Sequence, residues 1–285
     1  MTTVTQDRPD QRDLGIDLLR VENLRVAFGG TEVVKGVSFT ARPGACLAIV
    51  GESGSGKSVT ARTLVGLTGP RARVSADRID LAGIDLLHTS ERAWRRLRGS
   101  RIGLVLQDAL VSLDQLRKVG HEVAEPLRLH GWGTRSTRAA KAVELLRSVG
   151  VPEPEVKAAQ RPYELSGGLR QRALIASAIA LDPPLLVADE PTTALDVTVQ
   201  AQILDLLAAS KERGTSIILI SHDLSVVARI ADEIAVMRDG VIVEQGPVGR
   251  VLHDPQHEYT QTLLDAIPSE HTRGTRLTRP ANGAA

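Results

Sequence analysis

The chain carries a single cysteine, Cys46, only six aromatic side chains, and no apolar run longer than the six residues Ala45 to Val50. One thiol excludes an internal disulfide framework and any zinc site built on paired cysteines. So few aromatics argue against a protein that stacks nucleic-acid bases on an aromatic platform, and no nucleic-acid partner is expected. The apolar run falls far short of the roughly 18 residues that a membrane-spanning helix needs. The N-terminal MTTVTQDRPDQRD lacks the apolar stretch of a secretory signal, which makes a reducing cytoplasm the expected compartment. What is present suits a globular protein with a buried core: 285 residues, 42% apolar, 24% charged, net charge +1. At roughly 150 residues per domain, that length allows one large or two ordinary domains.

Residues 1–17 and 269–285 are polar and read as mobile tails. After the first tail, Val21 to Phe28 alternates in period two, turns at Gly29-Gly30, and resumes from Val33 to Thr40, the pattern of antiparallel strands. A continuous apolar stretch, Cys46 to Val50, then enters a Gly/Ser-rich loop and a helical pattern from Lys57 to about Leu67, as in a parallel α/β sheet. Two more such stretches follow, Leu185 to Ala188 and Ile217 to Ile220. Ligands of open α/β sheets gather beyond the carboxyl ends of the strands, so the polar tips Gly51 to Ser58, Asp189-Glu190 and Ser221-His222-Asp223 are expected to converge. Helical periodicity from about Ile102 to Arg172 reads as an insertion into that sheet. From Glu91 to Arg172 there are 16 Lys and Arg against 9 Asp and Glu, a local balance of +7. It serves either an anionic partner or simply a solvated arginine-rich surface. Ile234 to Met237 and Val241 to Val243 flank Arg238-Asp239-Gly240, a hairpin signal.

Gly51, Glu52, Ser53, Gly54, Ser55, Gly56, Lys57 and Ser58 fit G-x-x-x-x-G-K-[ST]. The glycines let backbone N–H groups curl around phosphate oxygens, Lys57 reaches the outer phosphates, and Ser58 offers an oxygen to magnesium. A flexible Gly/Ser loop is the plain alternative, but with this composition a chance match has odds of under about one in a hundred. At the end of an apolar strand, Asp189 is the candidate for the metal and Glu190 for polarising the attacking water. His222 is placed to meet the γ-phosphate or orient that water. In Leu165-Ser166-Gly167-Gly168-Leu169-Arg170-Gln171, Ser166 is a suitable N-cap and the glycines leave bare N–H groups at a positive helix end, a second anion site or merely a well-capped helix.

Taken in order, the phosphate loop, Gln107, the Leu165–Gln171 signature, Asp189-Glu190, Ala194-Leu195-Asp196 and His222 resemble the ATP-binding subunit of an ATP-binding cassette (ABC) transporter over residues 18–268. That resemblance implies an α/β fold, a RecA-like P-loop NTPase core with an antiparallel β subdomain, a helical subdomain near 102–172 and a C-terminal extension near 247–268. It implies ATP and Mg²⁺ as ligands, with Phe28 stacking on adenine unless it is a strand residue facing the core, and with Val59 completing the ATP-binding set. Gln107 joins Ser58 and Asp189 at the metal and Lys57, Glu190 and His222 in catalysis. Ser166, Gly167, Gly168 and Gln171 would grip the ATP of a second subunit, and Asp196 would carry communication across that dimer.

Within the family, Ala188 to Leu204, the phosphate loop, and Ile242 to Pro247 followed by His257, Tyr259, Leu263-Leu264 and Ala266-Ile267-Pro268 resemble the branch that imports peptides and nickel. The chain departs from that branch where Gln107-Asp108-Ala109 and Ser112-Leu113-Asp114-Gln115 each lack a proline, in the loop that signals to the membrane subunit. The branch's cysteine-rich cluster loop is absent. The partners implied are permease subunits, a second ATPase subunit and, indirectly, a solute-binding protein, with the chain peripheral on the cytoplasmic face of the membrane. A non-transport ATPase in a phosphonate-degrading complex and an export ATPase stand as the other readings.

Overall fold

The computed structural model describes residues 17–107, 112–193 and 195–265. The expectations for Asp108-Ala109, Ala194, Ala266 to Pro268 and nearly all of both tails lie outside them.

Strands β1 (Leu19–Phe28) and β2 (Thr31–Ala41) pair antiparallel from Leu19 opposite Ala41 to Phe28 opposite Thr31. Their turn places Gly29 and Gly30 at φ 55 and 91, the conformation that a two-residue hairpin loop needs. β4 (Ala72–Ser75) and β5 (Arg78–Leu81) also pair with β1, and β6 (Ile84–Asp85) pairs with β5. This five-stranded sheet is the antiparallel subdomain.

The second sheet has six strands in the order β11-β10-β3-β9-β8-β7. They are β3 (Cys46–Val50), β7 (Ile102–Val105), β8 (Leu185–Asp189), β9 (Ser216–Ser221), β10 (Glu233–Arg238) and β11 (Val241–Pro247). All neighbours are parallel except β10 and β11, which form the hairpin over Asp239-Gly240. Because side chains alternate across a strand, each run feeds two cores. Ala48, Leu186 and Leu219 face a helical layer, while Ile49, Leu185 and Ile218 face the antiparallel sheet and helix α1 (Lys57–Leu64). That double burial is why these strands read as unbroken apolar runs. Truncating any of these Leu or Ile side chains to Ala should cost about 2–5 kcal/mol.

One boundary needs correction. The helical insertion does not begin at Ile102, because Ile102–Val105 is an edge strand parallel to β8. Its run is short and broken by Gly103, which hid it. The glycine is required there, since an added Cβ would meet the Ala178 carbonyl oxygen at 2.5 Å. Between β7 and β8 lie α3 (Val119–Leu129), α4 (Arg135–Ser148), α5 (Pro154–Ala159) and α6 (Gly167–Ala178), so the last helix runs past Arg172. Before them, α2 (Glu91–Leu97) precedes β7. The remaining helices are α7 (Val197–Glu212), α8 (Leu224–Ile230), α9 (Val248–His253) and α10 (Glu258–Asp265). Among the described residues, no helix is long and apolar enough to cross a membrane.

Candidate phosphate-transfer site

The carboxyl ends of β3, β8 and β9 open onto one cleft of about 980 Å³. Gly51, Glu52, Ser53, Gly54, Gly56, Lys57, Ser58, Val59, Gln107, Glu190 and His222 all line it. The loop is shaped by its glycines: Gly51, Gly54 and Gly56 sit at φ 149, 85 and 102. An added Cβ on Gly51 would lie 2.0 Å from the Met237 carbonyl oxygen, so the loop packs directly on β10. Gly56 leads into α1, whose N-terminal N–H groups face the cleft end of the loop and favour negative charge.

Lys57 Nζ donates to the carbonyls of Gly51 at 2.8 Å and Glu52 at 2.7 Å. Burial pushes its pKa down, and the carboxylates of Glu190, Asp189 and Glu52 pull it back up. Beneath the loop, Ser58 Oγ donates to Asp189 Oδ1 at 2.8 Å. Asp189 is fully buried at 0% exposure, and its Oδ2 has no hydrogen-bond partner. Burial raises its pKa, against the lowering effect of the Ser58 hydrogen bond. A buried, unpartnered carboxylate oxygen beside a serine hydroxyl is the donor set a magnesium ion takes, one carboxylate with substrate phosphates supplying further oxygens.

Glu190 follows with φ 48, an uncommon conformation for a residue with a Cβ and a mark of functional constraint. Its N–H donates to the Ile220 carbonyl at 3.0 Å, which locks the turn onto β9. Three groups converge on Glu190 Oε2: Gln107 Nε2 at 3.4 Å, Thr193 Oγ1 at 2.8 Å and His222 Nδ1 at 3.2 Å. None of the three engages Oε1. His222 is exposed and Glu190 mostly buried, so the pair spans the cleft wall.

Other expected residues lie elsewhere. Phe28 does not line the cleft; it sits opposite Thr31 and Ala72 and packs, partly buried, on the antiparallel sheet's core. Ser55 is buried inside the loop, where its carbonyl accepts from Gly240 N–H at 3.1 Å. Ser166 caps α6 by accepting from Leu169 N–H, and it and Gly167 are exposed, away from the cleft. Gln171, one helical turn after Gly167, is buried at the packed side of α6. Asp196 is an exposed N-cap that accepts from Val199 N–H at 2.9 Å. Val33, Thr193, Thr262 and Leu263 also line the cleft without having been anticipated. Thr193 had a signal, three residues after Glu190 in a turn; the others are brought in only by tertiary packing.

A glycine loop between a parallel strand and a helix, with a buried Asp under its Ser and a strained Glu beside it, defines a P-loop NTPase. The ABC transporter profile matches residues 34–193, and an oligopeptide/dipeptide transporter C-terminal region matches residues 243–284. The chain belongs to the ABC transporter family, as an ATP-binding subunit. It is 46% identical to the dipeptide transport ATP-binding protein DppD of Lactococcus lactis, the match covering 91% of this chain and 76% of that one. The oligopeptide transport ATP-binding protein OppD of Bacillus subtilis is also 46% identical, over 90% and 74%, and DppD of Escherichia coli is 43% identical, over 88% and 78%. Among solved structures, a dimeric ATP-binding cassette bound to ADP and Pi matches with TM-score 0.72 and 26% identity, over 81% of this chain and 98% of that one. The cassette cbiO1 of Clostridium perfringens matches with TM-score 0.72 and 27% identity, over 84% and 91%.

Proposed function

We propose that this chain is the ATP-hydrolysing subunit that energises a peptide importer, working as a pair of ATPase subunits under a membrane permease. The observation that carries the ATPase reading is the ring of Lys57, Ser58, Glu190 and His222 around one cleft, with Asp189 buried beneath Ser58. Peptides are favoured over nickel because the relatives described above are named for dipeptide and oligopeptide transport. The same names disfavour the phosphonate-complex and export readings.

In this reading the loop N–H groups and Lys57 bind the β- and γ-phosphates, exchanging Lys57's bonds to loop carbonyls for phosphate oxygens. Ser58 Oγ and Asp189 would hold magnesium, which supplies positive charge against the phosphates. Glu190 accepts a hydrogen bond from the attacking water and takes its proton as the oxygen joins the γ-phosphorus; the bond to the β-phosphate oxygen breaks, giving ADP and phosphate. Gln107, Thr193 and His222 hold one Glu190 oxygen, which leaves the other to face that water. Ser166 and Gly167, exposed away from their own cleft, and Gly168, half-buried behind them, suit the nucleotide of a facing subunit. The γ-phosphate then holds two surfaces together, and its hydrolysis lets them part, a motion a permease can use. The subunit would lie peripherally on the cytoplasmic face of the membrane, with a solute-binding protein delivering substrate on the other side.

The test is purification of the tagged chain from native membranes together with uptake of a labelled dipeptide. Co-purification with a permease, and uptake lost in Glu190→Gln, is the expected result. Recovery only with soluble enzymes would overturn the transport reading.

A further inference from the structure

The C-terminal segment reaches back to the phosphate loop through one side chain. Tyr259, near the start of α10 and only 5% exposed, accepts a hydrogen bond at its Oη from Glu52 N–H at 3.1 Å. Glu52 is thereby pinned on both sides, since its own carbonyl accepts from Lys57 Nζ at 2.7 Å.

The segment that delivers Tyr259 is itself fastened. Glu244 on β11 accepts from Gln256 N–H at 3.0 Å and His257 N–H at 3.1 Å, and Tyr259 N–H donates to His257 Nδ1 at 3.1 Å. The Arg238 guanidinium lies 4.8 Å from the centre of the Tyr259 ring. One turn further along α10, Thr262 and Leu263 form part of the cleft wall. The loop needs such support: Gly54 has nothing within 4 Å of an added Cβ, so the crest of the loop is not packed.

We propose that Tyr259 is a positioning residue for ATP hydrolysis, fixing the phosphate loop at Glu52 so that the C-terminal segment sets the affinity for ATP. The proposal rests on reading Gly51 to Ser58 as the ATP site. Ordering the loop before nucleotide arrives removes an entropic cost from binding, and the Glu52 N–H is turned toward the tyrosine and away from competing arrangements. The hydrogen bond engages the loop backbone and none of Asp189, Glu190 or His222, so its loss should fall on binding and leave the chemical step alone.

Tyr259→Phe keeps the ring and its stacking under Arg238 and removes only the oxygen. In the assembled transporter it should raise the ATP KM about three- to tenfold, the size of one net hydrogen bond, with kcat within about twofold. The dissociation constant of a non-hydrolysable ATP analogue, titrated on the full chain, should rise by the same factor, with the melting temperature within about 2 °C of wild type. Glu244→Gln, which loosens the segment without touching the loop, should shift KM in the same direction. Unchanged KM and analogue affinity in Tyr259→Phe, or a fall in kcat that tracks lost thermal stability, would overturn the proposal. Lys57→Ala separates the two levels: wild-type analogue binding there overturns the loop assignment itself, whereas lost binding there with unaltered Tyr259→Phe overturns only the role of the C-terminal segment.

Discussion

Ser58 Oγ donates to one oxygen of the Asp189 carboxylate, Oδ1, at 2.8 Å, while the other, Oδ2, is buried without any partner. Such an arrangement costs stability in the nucleotide-free protein and is useful only when a cation arrives. Burial raises the folded-state pKa of Asp189 above its ordinary value. The group therefore contributes most favourably below the unfolded carboxylate pKa, and its contribution falls as pH rises through the folded value. Asp189→Asn should raise the melting temperature of the nucleotide-free chain at pH 7 by about 2–4 °C, roughly 1 kcal/mol for a chain of this size. The gain should disappear near pH 4. The magnesium-dependent part of ATP binding should vanish and turnover fall by about a hundredfold or more. A variant with lower thermal stability and normal magnesium dependence would contradict this.

Glu190 and His222 should separate by magnitude. Among the described residues, Glu190 is the only carboxylate lining the cleft besides Glu52 and Asp223, and the only one of the three held at positive φ. A positioned general base contributes roughly 10² to 10⁴ in rate, so Glu190→Gln should lose that much kcat while binding ATP normally. His222→Ala removes one of three groups on Glu190 Oε2, with Thr193 and Gln107 still in place. Its kcat should fall less than that of Glu190→Gln, by about tenfold to a hundredfold. Single-turnover kinetics with radiolabelled ATP would measure both, and equal losses would mean that His222 itself carries part of the chemistry.

The phosphate loop, Asp189 and Glu190 were legible because each combines a short polar string with an apolar strand immediately before it. β7 was not, because Gly103 interrupts an edge strand of only four residues. For Phe28 the sequence leaves adenine stacking and core packing open, since a period-two pattern tells which residues share a face, and not whether that face meets a core or a cleft. Gln171 was assigned with its motif, and the structure shows it buried. Thr262, Leu263 and Tyr259 reach the site from over 200 residues away in sequence, through a fold that no local pattern encodes.

The helical insertion offers a pH signature. Glu125 on α3 accepts from Arg128 Nη2 at 2.6 Å and Arg117 Nη2 at 2.9 Å, and these hold its pKa down at about 2. A depressed carboxylate stabilises the fold above its unfolded pKa and loses that contribution as pH falls through the folded value. Both arginines are over a third exposed, so solvent screening limits the effect to about 1 kcal/mol. Glu125→Gln should be less stable than wild type by that amount in urea titrations at pH 7, and the difference should shrink steadily from pH 4.5 toward pH 2. A difference that stays constant across that range would show that packing, and not charge, holds Glu125.

Two glycines of the same loop should answer substitution differently. At Gly51 an added methyl would lie 2.0 Å from the Met237 carbonyl oxygen, a backbone atom of β10 that cannot step aside without opening the sheet. At Gly54 the space is empty, and only the positive φ of 85 opposes a side chain. Left-handed backbone costs an alanine about 1–2 kcal/mol, so Gly54→Ala should fold with a modestly lowered melting temperature. Gly51→Ala adds a steric clash between main chains, and its loss should exceed about 4 kcal/mol, enough to deplete the folded chain. Thermal unfolding followed by circular dichroism compares the two directly. If Gly51→Ala matched Gly54→Ala in stability, the loop would be free to move off β10, and the close packing of strand and phosphate loop would not be what fixes the N–H groups in place.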